Sequence, residues 1–301
     1  MSKNVTTRDS ENTALRFFYQ ILNFIIPKNR TGDRIFSFIL FIFKHRRFPS
    51  DKMLFNDVLY KIKTSNEILD PLRVFVSDKE FLKVYVRAFA GEKYNVRTYA
   101  VLKDPAEIDN YEFPENCCIK PTHLSGKVIL RTKNSPIDRD KIKSWFNLNR
   151  YSVGREANYR TLKPKVIIEE LIFGRTNVED FKFFCYNGVP KLIQVDLDRS
   201  IKHTRKFFDP DWNEFEFSII YPRNTNEIEK PDNLTEMLTV VKKLSEPFGF
   251  IRVDLYSNGK TILVGEITNC SENAGGYFIP RSAEKRISEE IFPLQTIKNK
   301  L

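Results

Sequence analysis

The segment Gly249-Phe250-Ile251-Arg252-Val253-Asp254-Leu255-Tyr256 alternates like a strand, yet it seats an arginine and an aspartate on one face of an otherwise apolar run. Charges in such a place are costly unless they pair or bind something. Beyond Asn258-Gly259 a second apolar segment, Leu263-Val264-Gly265-Glu266-Ile267-Thr268-Asn269, adds a carboxylate and an amide, so the two read as a hairpin. Hard oxygen donors of this kind suit Mg²⁺, which takes one or two carboxylates and fills its shell with phosphate oxygens and water.

The turn decides which of these groups meet. A two-residue Asn258-Gly259 turn would set Asp254 opposite Leu263 and send Glu266 to the other face. A three-residue loop, or a bulge at Gly259, sets Glu266 opposite Arg252 and diagonal to Asp254, at about 7–8 Å. The bulged arrangement is the expectation, with a metal-free Arg252–Glu266 pair as its competitor.

Upstream, Ser77-Asp78-Lys79 predicts a capped helix running to about Ala90 and stopped by Gly91. Strands are expected at 99–102, 116–121, 127–132 and 165–171, with a helix over 137–148. A hairpin is expected to pair 181–186 with 191–198 across Asn187-Gly188-Val189-Pro190, and an amphipathic helix spans 232–246. The Ser125-Gly126-Lys127 turn, with Lys120 at the preceding strand end, offers cations and backbone N–H groups to phosphate, or is simply a surface turn. The run Arg199, Lys202, His203, Arg205 reads as either a wall for an acidic substrate or a solvated loop.

Residues 13–26 and 34–47 read as two apolar helices with basic flanks, either docked on the protein's own core or lying in a membrane interface. Residues 1–70 carry 12 Lys and Arg against 7 Asp and Glu, half of the chain's net charge of +10. The longest apolar run here, 35–43, is too short for a bilayer core that needs about 20 helical residues. No secretory signal is read, and the cysteines Cys117, Cys118, Cys185 and Cys270 form no CxxC pair, so a reducing, cytoplasmic setting is expected.

In chain order, the following motifs resemble the ATP-grasp superfamily and specifically its TupA-like branch, associated with surface-polysaccharide biosynthesis: Ser77-Asp78-Lys79; Ile119-Lys120-Pro121-Thr122-His123 with Ser125-Gly126; Ile168-Glu169-Glu170; Asp180-Phe181-Lys182-Phe183-Phe184 with Asn187-Gly188; Asp198-Arg199; Arg252-x-Asp254; and Glu266 followed by Asn269. The resemblance covers residues 70–290. It implies an α+β ATP-grasp fold, two α/β subdomains clasping ATP between antiparallel sheets, with an N-terminal helical extension. On that plan residues 1–70 are the extension, 71–115 precede the grasp, 116–171 form the small subdomain, 172–290 the large one, and 291–301 a tail.

The resemblance also implies roles. Lys120 takes the α- and β-phosphates under the Ser125-Gly126-Lys127 loop, while Glu169, Glu170 and the Leu171 backbone meet adenine. Asp180 matches the ribose-binding acid, Lys182 serves the γ-phosphate, and Arg252 stabilises the transferring phosphoryl group. Asp254 and Glu266 hold Mg²⁺; the usual Glu-x-Asn motif here has Thr268 at its last place, so either Asn269 reaches the ion through a local bulge or Thr268 stands in for it. The implied reaction is ATP-dependent carboxylate–amine ligation through an acyl phosphate, joining an amine or amino acid to a uronic acid of a capsule or O-antigen precursor at the cytoplasmic membrane face. No nucleic-acid partner is expected. The competitors are a sugar phosphotransferase and a non-catalytic basic module for nucleic acid or membrane surfaces.

Overall fold

The computed structural model describes residues 19–133, 135–197 and 203–293. Asp198, Arg199 and Lys202, the first part of the 13–26 helix and residues 294–301 lie outside them. Residues 19–25 are helical, and helix α1 (Arg30–His45) follows, capped by the Asn29 side chain, which accepts from Gly32 N at 2.9 Å. One face of α1 buries Phe36, Leu40 and Phe41. The helix is pinned at both ends: Asp33 accepts from Tyr151 Oη at 2.9 Å and Arg155 Nη1 at 3.3 Å, and His45 Nε2 lies 2.8 Å from Ala274 O.

Helices α2 (Phe55–Thr64), α3 (Pro71–Ser77) and α4 (Lys79–Phe89) come next. The cap expected at Asp78 is present, its Oδ1 accepting from Glu80 N at 2.9 Å, and α4 ends at Ala90 before Gly91. A four-stranded antiparallel sheet has the order β1 (Thr98–Leu102), β4 (Val166–Glu169), β2 (Cys117–Pro121), β3 (Ile129–Arg131). Helix α5 (Arg139–Ser144) and a 3₁₀ turn at Trp145–Asn147 cover it, with Ile119, Ile142, Trp145 and Ile168 in its core.

The larger sheet is antiparallel, in the order β11 (Ile262–Thr268), β10 (Phe250–Ser257), β5 (Asp180–Tyr186), β6 (Val189–Leu197), β7 (Thr204–Phe208), β8 (Glu214–Phe215). The turn between β5 and β6 is tighter than expected. It is two residues, Asn187 and Gly188, both at positive φ (47° and 74°), the conformation that suits a hairpin's twist.

This sheet has unlike faces. Phe183, Ile193, Val253 and Leu255 turn to one side and pack against α4 and α6 (Leu234–Ser245), whose Leu234, Met237, Val241 and Leu244 recur at helical spacing. On the other side Phe184, Leu192 and Phe250 lie under Phe55 of α2 and Ile287 of α7 (Ala283–Ile291). Phe55 meets Phe184, Phe250 and Phe278 edge-on at 5.3–5.7 Å, so its removal should cost about 3–5 kcal/mol. That apolar cover occupies only part of the second face. The rest is charged.

Two readings of the sequence are corrected here. The 199–206 basic run is no loop at its far end: Thr204–Phe208 is a strand, with Arg205 and Lys206 buried because Asp196 and Glu214 pair with them. The hairpin register also differs. Ser257 pairs with Ile262 across a four-residue loop, and the irregularity falls between Asp254 and Leu255, where Gly265 is the extra residue, not at Gly259. Glu266 therefore sits opposite Asp254, and Arg252 opposite Thr268.

Candidate active site

The bulge determines the chemistry of the floor. Ile262 and Val264 face the core, and strict alternation would bury Glu266 beside them; the extra residue sends Ile267 inward instead and puts Glu266 on the face of Asp254. Only glycine fits at the bulge, since a Cβ on Gly265 would come within 2.6 Å of the Tyr256 ring. Across the sheet the charged face then reads as rows: Glu266, Asp254, Lys182 and Gln194 in one, Tyr256, Asp180, Asp196 and Arg205 in the next.

Arg252 grips Asp254 with two bonds, Nε to Oδ1 at 2.7 Å and Nη2 to Oδ2 at 2.8 Å, and reaches Ser271 Oγ (2.8 Å) and Thr268 Oγ1 (3.0 Å). Burial opposes its charge, but Asp254 more than offsets this, so the guanidinium is held above its ordinary value. Burial likewise opposes ionisation of Asp254, and Arg252 with Lys182 overrides it. Lys182 bonds Asp180 and lies 3.3 Å from Asp254 Oδ2 and 3.6 Å from Asp196 Oδ2. Glu266, half-buried, has no hydrogen bond or ion pair among the described residues.

The smaller sheet supplies the facing wall. Glu169 at the end of β4 is buried and held by two lysines at 2.6 Å each, Lys83 on Oε1 and Lys120 on Oε2. Its carboxyl, which burial alone would raise, is kept below its ordinary value by Lys120 and Lys83. Both carboxylate oxygens of this side chain, expected at adenine, are engaged by that ion triad; the neighbouring Glu170 is exposed, and Leu171 O accepts from Gly174 N at 2.9 Å. Ser125, Gly126 and Lys127 form an exposed loop between β2 and β3. Lys79 Nζ anchors it by donating to Leu124 O at 2.6 Å, and His123 Nε2, 3.2 Å from both Trp145 O and Leu148 O, ties it to the covering helix. Burial lowers Lys79, against the pull of Glu266, so this anchor of one sheet feels the carboxylate of the other.

Other expectations shift. Asn269 is not turned to the carboxylates: its Oδ1 accepts from Arg73 Nη1 at 3.0 Å and its Nδ2 donates to Arg73 O and Ser77 Oγ at 3.1 Å, which locks α3 to the sheet. Arg205 is likewise sealed, bonded to Asp196 Oδ1 (2.8 Å), Ile219 O (3.0 Å) and Glu272 Oε1 (2.7 Å). His203 stays partly exposed, with its ring 3.8 Å from that of Tyr221 and Nε2 3.3 Å from Asp196. Arg199 and Lys202 lie outside the described residues.

Sequence reasoning missed Lys83, Arg150, Glu156 and Tyr159. Lys83 carried a usable signal, one helical turn after Lys79. Arg150 Nη2 bonds Glu156 Oε2 at 3.1 Å, and the Tyr159 hydroxyl is pushed well above its ordinary value by burial and then by Glu266 and Glu156.

Among the described residues no three His, Cys, Asp or Glu side chains gather to hold a metal. An all-protein cage is thus absent, but Asp254 with the unpaired Glu266 fits the two-carboxylate donor set of Mg²⁺, whose shell is otherwise phosphate and water.

A family model for the TupA-like ATP-grasp proteins matches residues 59–292. No curated protein matches the chain. Among solved structures, D-alanine–D-alanine ligase from Helicobacter pylori is 14% identical, with a TM-score of 0.40 over 73% of this chain and 60% of that one. L-amino acid ligase from Bacillus licheniformis is 14% identical at 0.42, over 74% and 51%, and the ATP-grasp ligase PsnB with its minimal precursor is 13% identical at 0.38, over 67% and 54%. The chain spans about half to three fifths of the length of these structures. At such identities and TM-scores no residue role passes from them to this chain.

Proposed function

The chain belongs to the TupA-like ATP-grasp family, and from that membership we propose that it is an ATP-dependent carboxylate–amine ligase whose phosphate site is the charged face of the larger sheet. The observation that carries this reading is the unpaired Glu266 set directly opposite Asp254, beside Arg252 and Lys182. The half-buried carboxylate left over beside this ion-pair network is an oxygen donor of the kind a cation-bound polyphosphate needs.

A carboxylate resists amine attack because its oxygen leaves poorly, and phosphorylation by ATP supplies a leaving group. Asp254 and Glu266 would hold Mg²⁺, and the ion would supply neutralisation of the phosphate charge. Arg252, fixed by Asp254, Ser271 and Thr268, holds a guanidinium that cannot be deprotonated where negative charge develops. Lys182, opposite Asp254 on the next strand, adds a second cation, already dehydrated by its buried position. Lys120 and the exposed Ser125-Gly126-Lys127 loop receive the remaining phosphates from the opposite wall, and Glu170 with the Leu171 backbone frames the base at the link between the sheets, with Asp180 toward the ribose. None of these steps needs a covalent nucleophile, in keeping with four buried, free thiols.

The substrate we propose is a uronic acid of a surface-polysaccharide precursor, joined to an amine or amino acid. The family resemblance supports it, and His203 is the residue of the basic run that stays accessible among those described. Hydroxylamine tests the mechanism: an ATP- and Mg²⁺-dependent hydroxamate formed from a uronic acid supports an acyl phosphate, and ADP release without hydroxamate points to phosphoryl transfer alone.

A further inference from the structure

We propose that the outer face of α1, with the 19–28 segment beside it, is a docking surface for anionic lipid bilayers, a property separate from the ligase reading. Helix α1 is apolar on two sides. One side, Phe36, Leu40 and Phe41, is spent on the protein's own core, whereas Ile35 and Phe38 on the other are 48% and 39% exposed. Phe48 (69% exposed) stacks on Phe38 with ring centroids 6.1 Å apart, and in the preceding segment Phe24 is 92% exposed. Water-facing aromatics on this scale mark a surface meant to be covered.

Charge says what covers it. From Tyr19 to Ser50 the cations are Lys28, Arg30, Arg34, Lys44, Arg46 and Arg47, of which Arg47 is paired with Asp57 (2.7 Å) and Glu284 (3.1 Å), and the sole acid is Asp33, which is buried under Tyr151 and Arg155. Arg30 and Arg34 donate to the carbonyls of Thr64 and Ser65, bonds that leave their charge uncancelled. A second copy docked through the same face would bring like charges together. An anionic leaflet instead supplies opposite charge at the headgroups and an acyl boundary for the rings. Among the described residues no helix is long and apolar enough to cross a membrane, so the helix lies on the surface and does not span it.

Co-sedimentation of the full chain with vesicles tests this, using phosphatidylcholine alone or mixed equally with phosphatidylglycerol. The expected result is pelleting with the mixed vesicles only, weakened by high salt. Two independent variants should reduce it at unchanged circular dichroism and melting temperature. Phe24→Ser/Phe38→Ser/Phe48→Ser removes the inserted rings. Lys28→Glu/Arg46→Glu removes favourable charge at about fivefold or more per site. Absence of binding to mixed vesicles, equal binding to neutral ones, or unaltered binding by both variants overturns the proposal. So does a concentration-dependent dimer that the aromatic variant abolishes in a chain that ignores vesicles, since the covering partner is then a second copy.

Discussion

Asp254 and Glu266 face one another across neighbouring antiparallel strands, one carboxylate held by Arg252 and the other without a hydrogen bond or ion pair among the described residues. That pairing exists because Gly265 adds a residue to β11, and the glycine is there because the Tyr256 ring leaves no room for a Cβ.

Replacing Gly265 by Ala should therefore destabilise the protein by about 1–3 kcal/mol, the range for overpacking a tight contact. Chemical denaturation checks this. Combining it with Tyr256→Ala should cost less than the two single changes added, because the clash is shared. Strict additivity would mean that the ring does not define the bulge.

Glu169 predicts an acid limb. Burial raises its carboxyl, but Lys120 and Lys83 prevail and lower it, so its stabilising contribution is complete above the unfolded value of about 4.3 and fades as pH falls through the lower folded value. Glu169→Gln, which leaves two lysines without their counter-charge, should cost about 3–5 kcal/mol at neutral pH. Its denaturation midpoint should also decline less steeply than that of the wild type below about pH 4.3.

The thiols should be silent in the folded protein. Burial pushes Cys118 up to about 11 and Cys185 and Cys270 up to about 12, and Cys117 is raised as well. Ellman's reagent at mild alkaline pH should react with the four only after denaturant is added. A fast-reacting thiol in the native state would contradict this.

What could be read in the sequence were features whose cause is local. Asp78 caps α4 with its own neighbours' N–H groups, and Asn187-Gly188 turns because both accept positive φ. What escaped depends on partners far along the chain. The strand Thr204–Phe208 escaped, because the acids that let Arg205 and Lys206 be buried, Asp196 and Glu214, sit on other strands. Lys83 shares a helix face with Lys79, a spacing the sequence shows, but its meeting with Lys120 at Glu169 joins a helix to a separate strand, and that contact is not local. The hairpin was read with the right charges on one face and an irregular register, but a bulge inside β11 shifts the partner of Glu266 from Arg252 to Asp254. Asn269 carried a motif-like position, yet Arg73 claims its amide.

Calorimetric titration of a non-hydrolysable ATP analogue, with and without Mg²⁺, into the wild type, Glu266→Gln and Asp254→Asn tests the central claim most directly. Mg²⁺ should tighten binding to the wild type, and this tightening should be lost by on the order of tenfold or more in both variants while metal-free affinity persists. Undiminished Mg²⁺ dependence in Glu266→Gln would show that the free carboxylate opposite Asp254 does not hold the ion.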